Sequence, residues 1–431
     1  MNHHRDNLLT IYKAALAAVH GRRCVAEWLQ QYPQVGSCYV LAIGKAAAAM
    51  ATGALDALGD QLDGMLVITR HGYADPVLAT DKRIIQLEAG HPVPDQASLD
   101  AGQTVLDFIA AAPVSSPVLF LFSGGASALA EVLPAGMTLV DLQRVNRWLL
   151  GSGLPIDIMN AIRISLSAIK GGGLARYIQY CRGGPDHQVL RKDRVLLLSD
   201  VPGDDPAIIG SGLLYPYHGD LSDVIPAVPD WLQALLVRLQ RRSVATGSEW
   251  MATALKDDFI THHIIANADH ARQAAAQQAR QSGYDVVEHR QRVTGDIQRL
   301  AEQFVTTMAD ARPALHIWSG EPTVILPERP GNGGRCQSLA LALALNQFRR
   351  HKQQDYLFLA AGTDGSDGPG TVAGALVDRL TLSRLTAADH DPQQCLLRAD
   401  AGSCLGASND LLVTGPTGTN VMDIMLGLRL S

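Results

Sequence analysis

"CYVLAIGKAAAAMA", residues 38–51, is the stretch on which the fold turns. An apolar run this short predicts a strand buried on both faces, the glycine ends it, and the alanine-rich segment behind it predicts a helix. Strand, tight turn and helix are the first half of a βα unit. The same grammar returns in "GMLVITR" (64–70), "RIIQLEA" (83–89), "PVLFLFS" (117–123) and "RVLLLSD" (194–200). Strands that alternate with helical patterns predict an α/β fold with a mostly parallel sheet. In such sheets the ligand crevice lies beyond the carboxyl ends of the strands, so Gly44, Ser123 and Asp200 mark where chemistry should collect.

The pattern breaks at "LLYPYHGDLSDVIPAVPD" (213–230), where prolines interrupt the strand signal, followed by the helical "WLQALLVRLQRR" (231–242). A domain boundary is expected there, dividing the chain into residues 1–240 and 241–431. The second half resumes with "FITHHIIAN", a helix through "HARQAAAQQARQSG", then "YDVVEH", "ALHIWSG", "PTVILP", "DYLFLAAG" and "DLLVTG", and it too reads as α/β. A chain of 431 residues with 47% apolar content has room for two cores, and two domains imply a cleft.

A formal charge of −6, with its 36 basic residues spread along the chain, speaks against nucleic acid as a partner. No run of about 18 apolar residues occurs, so no membrane-spanning segment is expected. The N-terminal stretch has polar interruptions at helical spacing and reads as an amphipathic helix, not a secretory leader. Six cysteines without a C-x-x-C pair read as reduced thiols of a cytoplasmic protein.

Several loops concentrate glycine, serine, aspartate or a lone cation at strand ends, the composition of an anion site. Glycines let backbone N–H groups approach an anion, and a following helix adds the positive end of its dipole. Lys45 sits where a cation opposes that dipole, which calls for an anionic ligand; the spacing is not that of a P-loop. In "FLFSGGASALA" (120–130), Ser123, Gly124, Gly125 and Ser127 suit a phosphate or carboxylate cradle better than a nucleophile elbow, because Leu129 takes the place of the closing glycine. Lys170, before Gly171, Gly172 and Gly173, reads as a helix end with a late lysine, or as a further anion contact. Asp200, Asp204 and Asp205 fall within one short turn, where three carboxylates need a counter-ion such as magnesium.

"RPGNGGRCQSLALALA" (329–344) places Arg335 after Gly333 and Gly334 at a predicted helix start. "FLAAGTDGSDGPGTVAGALVD" (358–378) carries Asp364 and Asp367, together with a G-x-G-x-x-A match in the wrong setting for a dinucleotide. Near the C-terminus "LLVTGPTGTNVMD" offers Thr417, Thr419 and Asn420 as phosphate or ribose contacts. His262 and His263 read as core histidines, and no structural zinc pattern occurs. Two lone cations and acidic glycine loops, shared by two halves, describe a site for a highly anionic ligand with a divalent ion, which favours phosphoryl transfer.

The segments "GKAAAAMA", "EAGHPVPD", "SGGASAL", "LSAIKGG", "SDVPGDDPAIIGSG", "AAGTDGSDG" and "VTGPTGTNVMD", in this order, resemble the glycerate 2-kinase family with a C-terminal MOFRL domain. The resemblance runs from about residue 40 to the C-terminus and implies a Rossmann-like three-layer N-terminal domain, a MOFRL-containing C-terminal domain, and an active site in the cleft between them. It implies ATP and Mg2+ as cofactors, with D-glycerate phosphorylated at its 2-hydroxyl. The family's lysine after the first strand matches Lys45 and its MOFRL arginine matches Arg335, the two expected catalytic cations. Asp200 is the expected magnesium ligand or the base for the hydroxyl proton. Oligomeric state stays open, with a homodimer among the options.

Four positions depart from the family pattern. Where its MOFRL loop usually reads R-N-Q-E this chain has Arg335, Cys336, Gln337 and Ser338, and where V-R-K-H-L-S is usual it has "IRISLS", with Ile164 and Ser165. These departures put the acceptor in question more than the reaction class. Some members carry a hydroxypyruvate reductase name, so an NAD(P)H-dependent reductase is the alternative. A paralogue that binds without turnover is a third.

Overall fold

The computed structural model describes residues 2–154, 156–182, 193–217, 219, 228–246, 249–252, 255, 260–310, 312–350 and 355–430. The chain forms two compact units: Gly21–Ile265, and Met1–His20 together with Ala266–Ser431. After α1 (Asn2–Ala18), which belongs to the second unit, the first unit runs α2 (Gly21–Gln31), β1 (Cys38–Ile43), α3 (Ala47–Leu58), β2 (Leu62–Arg70), β3 (Ile84–Ala89), α4 (Gln96–Ala111) and β4 (Val118–Phe122). It continues with α5 (Ala126–Leu129), α6 (Leu139–Gly151), α7 (Ile156–Ser165), α8 (Gly173–Arg182), β5 (Arg194–Leu198), α9 (Asp230–Thr246) and β6 (Thr261–Ala266).

The strands lie in the order β3-β2-β1-β4-β5-β6, and the pairings from β3 to β5 are parallel. This is the Rossmann order. The chain winds outward from β1 to β3, then returns to place β4 on the other side of β1, so the two exits diverge and leave a crevice at their carboxyl ends. Leu41 and Ile43 of β1 and Phe120 and Phe122 of β4 are buried in one cluster, as their unbroken apolar runs predicted. The five strands read from the first half all form, within a residue or two of their expected ends.

The second unit adds α10 (Ala268–Gln281), β7 (Val286–Glu288), β8 (Val293–Asp296), α11 (Ile297–Asp310), β9 (Leu315–Thr323), α12 (Arg335–Arg350), β10 (Tyr356–Gly362) and β11 (Gly374–Asp378). It ends with α13 (Thr381–Ala387), α14 (Pro392–Leu397), α15 (Ala401–Ala407), β12 (Leu411–Leu412) and β13 (Asp423–Arg429). Its sheet is mixed: β12-β11-β10-β13-β9-β7 in order, antiparallel from β12 to β9, with β7 and β8 parallel to β9. Residues 339–344 of α12 are all buried, which accounts for the apolar run in "SLALALA"; the helix packs on α11 and on β10 and β11.

Four expectations need correction. A boundary at 240/241 would cut α9; the chain passes to the second unit only after β6, because β6 extends the first sheet and α1 packs on α10. Tyr12 of α1 reaches into the second unit, its hydroxyl donating to the Gly362 carbonyl at 2.7 Å. "PTVILP" is no separate strand: Pro322 and Thr323 end β9, and Ile325 is exposed. β13, central in its sheet, escaped the reading because Gly427 interrupts a run that follows a glycine-threonine turn. Cys395 and Cys404 are not reduced thiols but a disulfide; α14 and α15 fold back on each other and bring their Cα atoms to 6.4 Å. No helix among the described residues is long and apolar enough to cross a membrane.

Candidate functional site

In the first unit the site is built at the switch point. The backbone N–H of Lys45 donates to the Gly124 carbonyl at 3.0 Å, that of Ser123 to the Ile43 carbonyl at 3.1 Å, and that of Ala46 to Ser123 Oγ at 3.0 Å. These bonds stitch the β1 exit to the β4 exit. Gly44 has φ +140°, and a Cβ there would lie 2.1 Å from Ser123 Oγ, so only glycine lets the two turns meet. A Cβ on Gly125 (φ +89°) would lie 3.0 Å from the His91 ring and 3.2 Å from Lys45 Cγ. Lys45, His91 and Gly125, at the ends of three strands, therefore share one corner.

His91 was not singled out from the sequence. Its place directly after β3, within "EAGHPVPD", was the available signal. Ser127 is turned to a different partner: its hydroxyl shares a hydrogen bond of 2.9 Å with that of Ser211, which in turn donates to Asn160 Oδ1 at 3.3 Å.

The three expected acids are not gathered. Asp200 follows β5 and is part-exposed, Asp204 stands in a turn at φ +55°, and exposed Asp205 accepts the Ala207 N–H at 2.9 Å. Among the described residues, the group of three metal-ligating side chains with donor atoms within 4.8 Å of one another is His390, Cys395 and Cys404, which includes none of these acids.

Lys170 lies before α8, so its glycines open a helix where a helix end had been the simpler reading. Its ammonium pairs with the carboxylate of Glu131, both side chains at most 3% exposed. Burial pushes the Glu131 carboxyl up, and the Lys170 charge opposes that shift. Lys170 also lines a cavity of about 180 Å³ with Ile164, Ser167, Gly171, Arg176 and Tyr217, which puts one of the four departures on a cavity wall. Ser165 donates to the Ile162 carbonyl at 2.7 Å.

In the second unit Arg335 opens α12 and is far from bare. Its Nε donates to Asp423 Oδ2 at 2.6 Å and its Nη2 to Asp423 Oδ1 at 3.0 Å, a two-point fork, while Nη2 also donates to Glu321 Oε1 at 2.7 Å. Burial disfavours the charge, but Asp423 and Glu321 outweigh it and hold the guanidinium pKa well above its usual value. The side chain is still 37% exposed, and Nη1 has no partner among the described residues. Asp423 and Glu321 went unnoticed in the sequence; Glu321 lies in the last three residues of β9 and Asp423 opens β13.

Asp367 occupies the place expected for a ligand anion. Its carboxylate accepts the N–H groups of Cys336 at 3.0 Å and Gln337 at 2.8 Å and the Gln337 side-chain amide at 3.0 Å, so the protein's own anion fills the α12 N-terminus. Burial is the largest influence on it and raises its pKa to about 6, against the pull of those amides. A Cβ on Gly334 would lie 2.2 Å from Asp367 Oδ1, and one on Gly333 2.9 Å from the Gly402 nitrogen. These glycines serve internal packing; the cradle they form is already full.

Asp364 is buried and accepts from the Ser366 N–H at 2.8 Å and hydroxyl at 2.9 Å. Thr417 Oγ1 donates to the Thr363 carbonyl, and Asn420 is buried in the same turn. Cys336 and Ser338 are 0% and 2% exposed, so neither reaches an acceptor directly. Burial and the neighbouring Asp423 and Asp367 push the Cys336 thiol well up and keep it protonated.

Residues 7–233 match the family described as "Domain of unknown function (DUF4147)", and residues 314–423 match the MOFRL family. The chain is 32% identical to the D-glycerate 2-kinase of Thermotoga maritima over 440 residues, with 97% of each covered. The chain belongs to the glycerate kinase family. The crystal structure of glycerate kinase from Thermotoga maritima superposes with a TM-score of 0.79 at 29% identity, covering all of both chains. A protein of Agrobacterium vitis that carries a provisional hydroxypyruvate reductase name is 34% identical, with 90% of this chain and 98% of that one covered. Family membership implies ATP and a small-molecule acceptor.

Proposed function

We propose that the protein is an ATP- and magnesium-dependent glycerate 2-kinase that phosphorylates the 2-hydroxyl of D-glycerate, giving 2-phospho-D-glycerate and ADP. The observation that carries the reading is Lys45, held by backbone bonds at the switch point of a Rossmann-order sheet beside Ser123, Gly124, Gly125 and His91. The 2-hydroxyl oxygen forms a bond to the γ-phosphorus as the bond to the bridging oxygen of ADP breaks. Lys45 holds phosphate oxygens and offsets the charge that spreads over them in transit. Arg335 is the second cation of this reading, with Asp423 and Glu321 fixing the plane of its guanidinium.

Magnesium keeps several waters and takes few carboxylates, so the part-exposed Asp200 suits it as a single protein ligand. When bound, the ion would draw charge from the phosphate oxygens. Replacing Asp200 by Asn separates its two candidate roles: a raised magnesium requirement marks a ligand, and lost turnover at saturating magnesium marks the proton acceptor.

The strand order is also that of dinucleotide-binding folds, which keeps a hydroxypyruvate reductase in contention. Against it, the β1–α3 turn lacks the glycine fingerprint, and its Ala46 N–H is taken by Ser123 Oγ. The deciding experiment follows ADP release with D-glycerate and magnesium, assigns the phosphorylated carbon by phosphorus NMR, and in parallel records NADH absorbance with hydroxypyruvate. Steady NADH oxidation without ADP release overturns the kinase assignment. Tight nucleotide binding by calorimetry with neither activity identifies a non-catalytic paralogue.

A further inference from the structure

The disulfide brackets the turn that holds the Arg335 loop. Between Cys395 in α14 and Cys404 in α15 lies the turn 396–403. Three hydrogen bonds join this turn to the loop ahead of Arg335: Gly331 N–H to the Arg398 carbonyl, Asn332 N–H to Asp400 Oδ1, and Gly402 N–H to the Asn332 carbonyl, each 2.8 Å. Ser403 Oγ fixes the Asp400 carboxylate at 2.6 Å. The contact is tight: a Cβ on Gly331 would lie 2.4 Å from Asp400 Cβ, and one on Gly333 2.9 Å from the Gly402 nitrogen. A covalent link across a short loop restricts the conformations open to that loop, and here the loop is the brace of Gly331–Gly334.

Both cysteines are buried, though not to the same degree. Cys395 is 8% exposed and Cys404 is fully buried, while His390, partly exposed, sets its Nδ1 3.9 Å from Cys404 Sγ. Cys24, Cys38 and Cys336 are buried free thiols, and burial raises the pKa of Cys24 to about 11 and that of Cys38 to about 12, which makes them poor thiolates.

We infer that Cys395 and Cys404 form a reversible thiol–disulfide exchange site for small thiols of the glutathione class, and that its closure holds the Gly331–Gly334 loop in place for Arg335. A glutathione thiolate attacks Cys395 Sγ; the new sulfur–sulfur bond forms as the Cys395–Cys404 bond breaks and Cys404 leaves as a thiolate, which takes up a proton that His390 is placed to supply. A second glutathione attacks the mixed disulfide, releasing the Cys395 thiolate and glutathione disulfide. Two glutathione thiols are oxidised and one protein disulfide is reduced; glutathione disulfide runs the steps backward. The consequence for turnover rests on the kinase reading, but the exchange and the brace do not.

The test equilibrates the full-length protein in glutathione buffers of graded thiol-to-disulfide ratio. Mass spectrometry after alkylation reads each cysteine, and hydrogen exchange reads residues 329–335. The expected result is that Cys395 and Cys404 become labelled together in one two-electron transition, and that 329–335 loses protection across that same transition. The conservative Cys395→Ser variant should lose the same protection at every ratio. Three outcomes overturn the inference: labelling of both cysteines independent of the ratio, unchanged exchange at 329–335 across the transition, or about one zinc per reduced chain held by His390 and the two thiols. Since none of these readouts needs turnover, an inactive protein would sink the kinase assignment and leave this result standing.

Discussion

Lys45 and Arg335 look alike in the sequence, each a lone cation beside small residues at a helix start, and the structure sets them apart. Lys45 is fixed through its backbone at the meeting of two parallel strands, in a corner shared with His91 and Gly125. Arg335 is fixed through its side chain, forked on Asp423 and bonded to Glu321, at a helix end that Asp367 already occupies. A glycine-rich turn before a helix therefore marks a place suited to an anion without saying what fills it. In the first unit that place is the switch point of the sheet; in the second the protein supplies the carboxylate.

The largest expected effect follows from this contrast. Lys45→Ala should lower ADP release by about 10²–10³-fold, the usual cost of losing one group that stabilises transferring charge. Urea titration of the same variant separates the two kinds of loss: the drop in turnover, expressed as free energy, should far exceed any drop in stability. A large stability loss with little change in turnover would reverse the roles assigned to the two cations.

Arg335→Ala should instead lose both activity and stability, because Asp423, only 2% exposed, is left without its partner. Breaking a fully buried pair costs about 3–5 kcal/mol, and the partial exposure of the guanidinium reduces this to about 1–3 kcal/mol. Arg335→Lys should recover part of the stability but not the fork, since an ammonium cannot present two parallel donors.

A smaller effect concerns the occupied helix end. The Asp367 pKa, raised to about 6 in the folded state from an ordinary carboxyl value in the unfolded chain, means the native state holds the proton more tightly. Its contribution therefore favours folding below about pH 4 and is lost as pH rises towards 6. Relative to Asp367→Asn, the parent protein should be more stable at pH 4.5 than at pH 7. Urea titrations of both at the two pH values check this, and the opposite sign would show that the helix amides dominate over burial.

The smallest effect is expected at Cys336. Its side chain is buried and faces Asp423, so Cys336→Ala should leave the glycerate KM within about twofold, as for a change that removes no substrate contact. Ile164, on a cavity wall beside Lys170, is the departure that can touch a ligand, and Ile164→Ala should move KM more. A larger shift at Cys336 would mean that it acts through the Asp423–Arg335 pair.

β1, β2, β4 and β5 were legible because a central parallel strand is buried on both faces and must be apolar throughout, a local signal that needs no partner. β13 was not legible: it is central too, but Gly427 breaks its run and its pairing with β9 and β10 joins residues 60 or more positions apart. The same limit hid Asp423 and Glu321, whose importance lies wholly in which cation they meet.

What the sequence determined alone is what short-range chemistry encodes: α/β alternation, the turns that need glycine, two cations at helix starts and the motifs of the glycerate kinase family. The tertiary structure decided the strand order that makes the end of β1 a crevice, the handover after β6 and the return of α1 to the second unit. It also decided which charges stand paired. Lys170 meets Glu131, Arg335 meets Asp423, and Cys395 meets Cys404, because ion pairs, capping carboxylates and disulfides depend on distances in space that residue spacing along the chain does not carry.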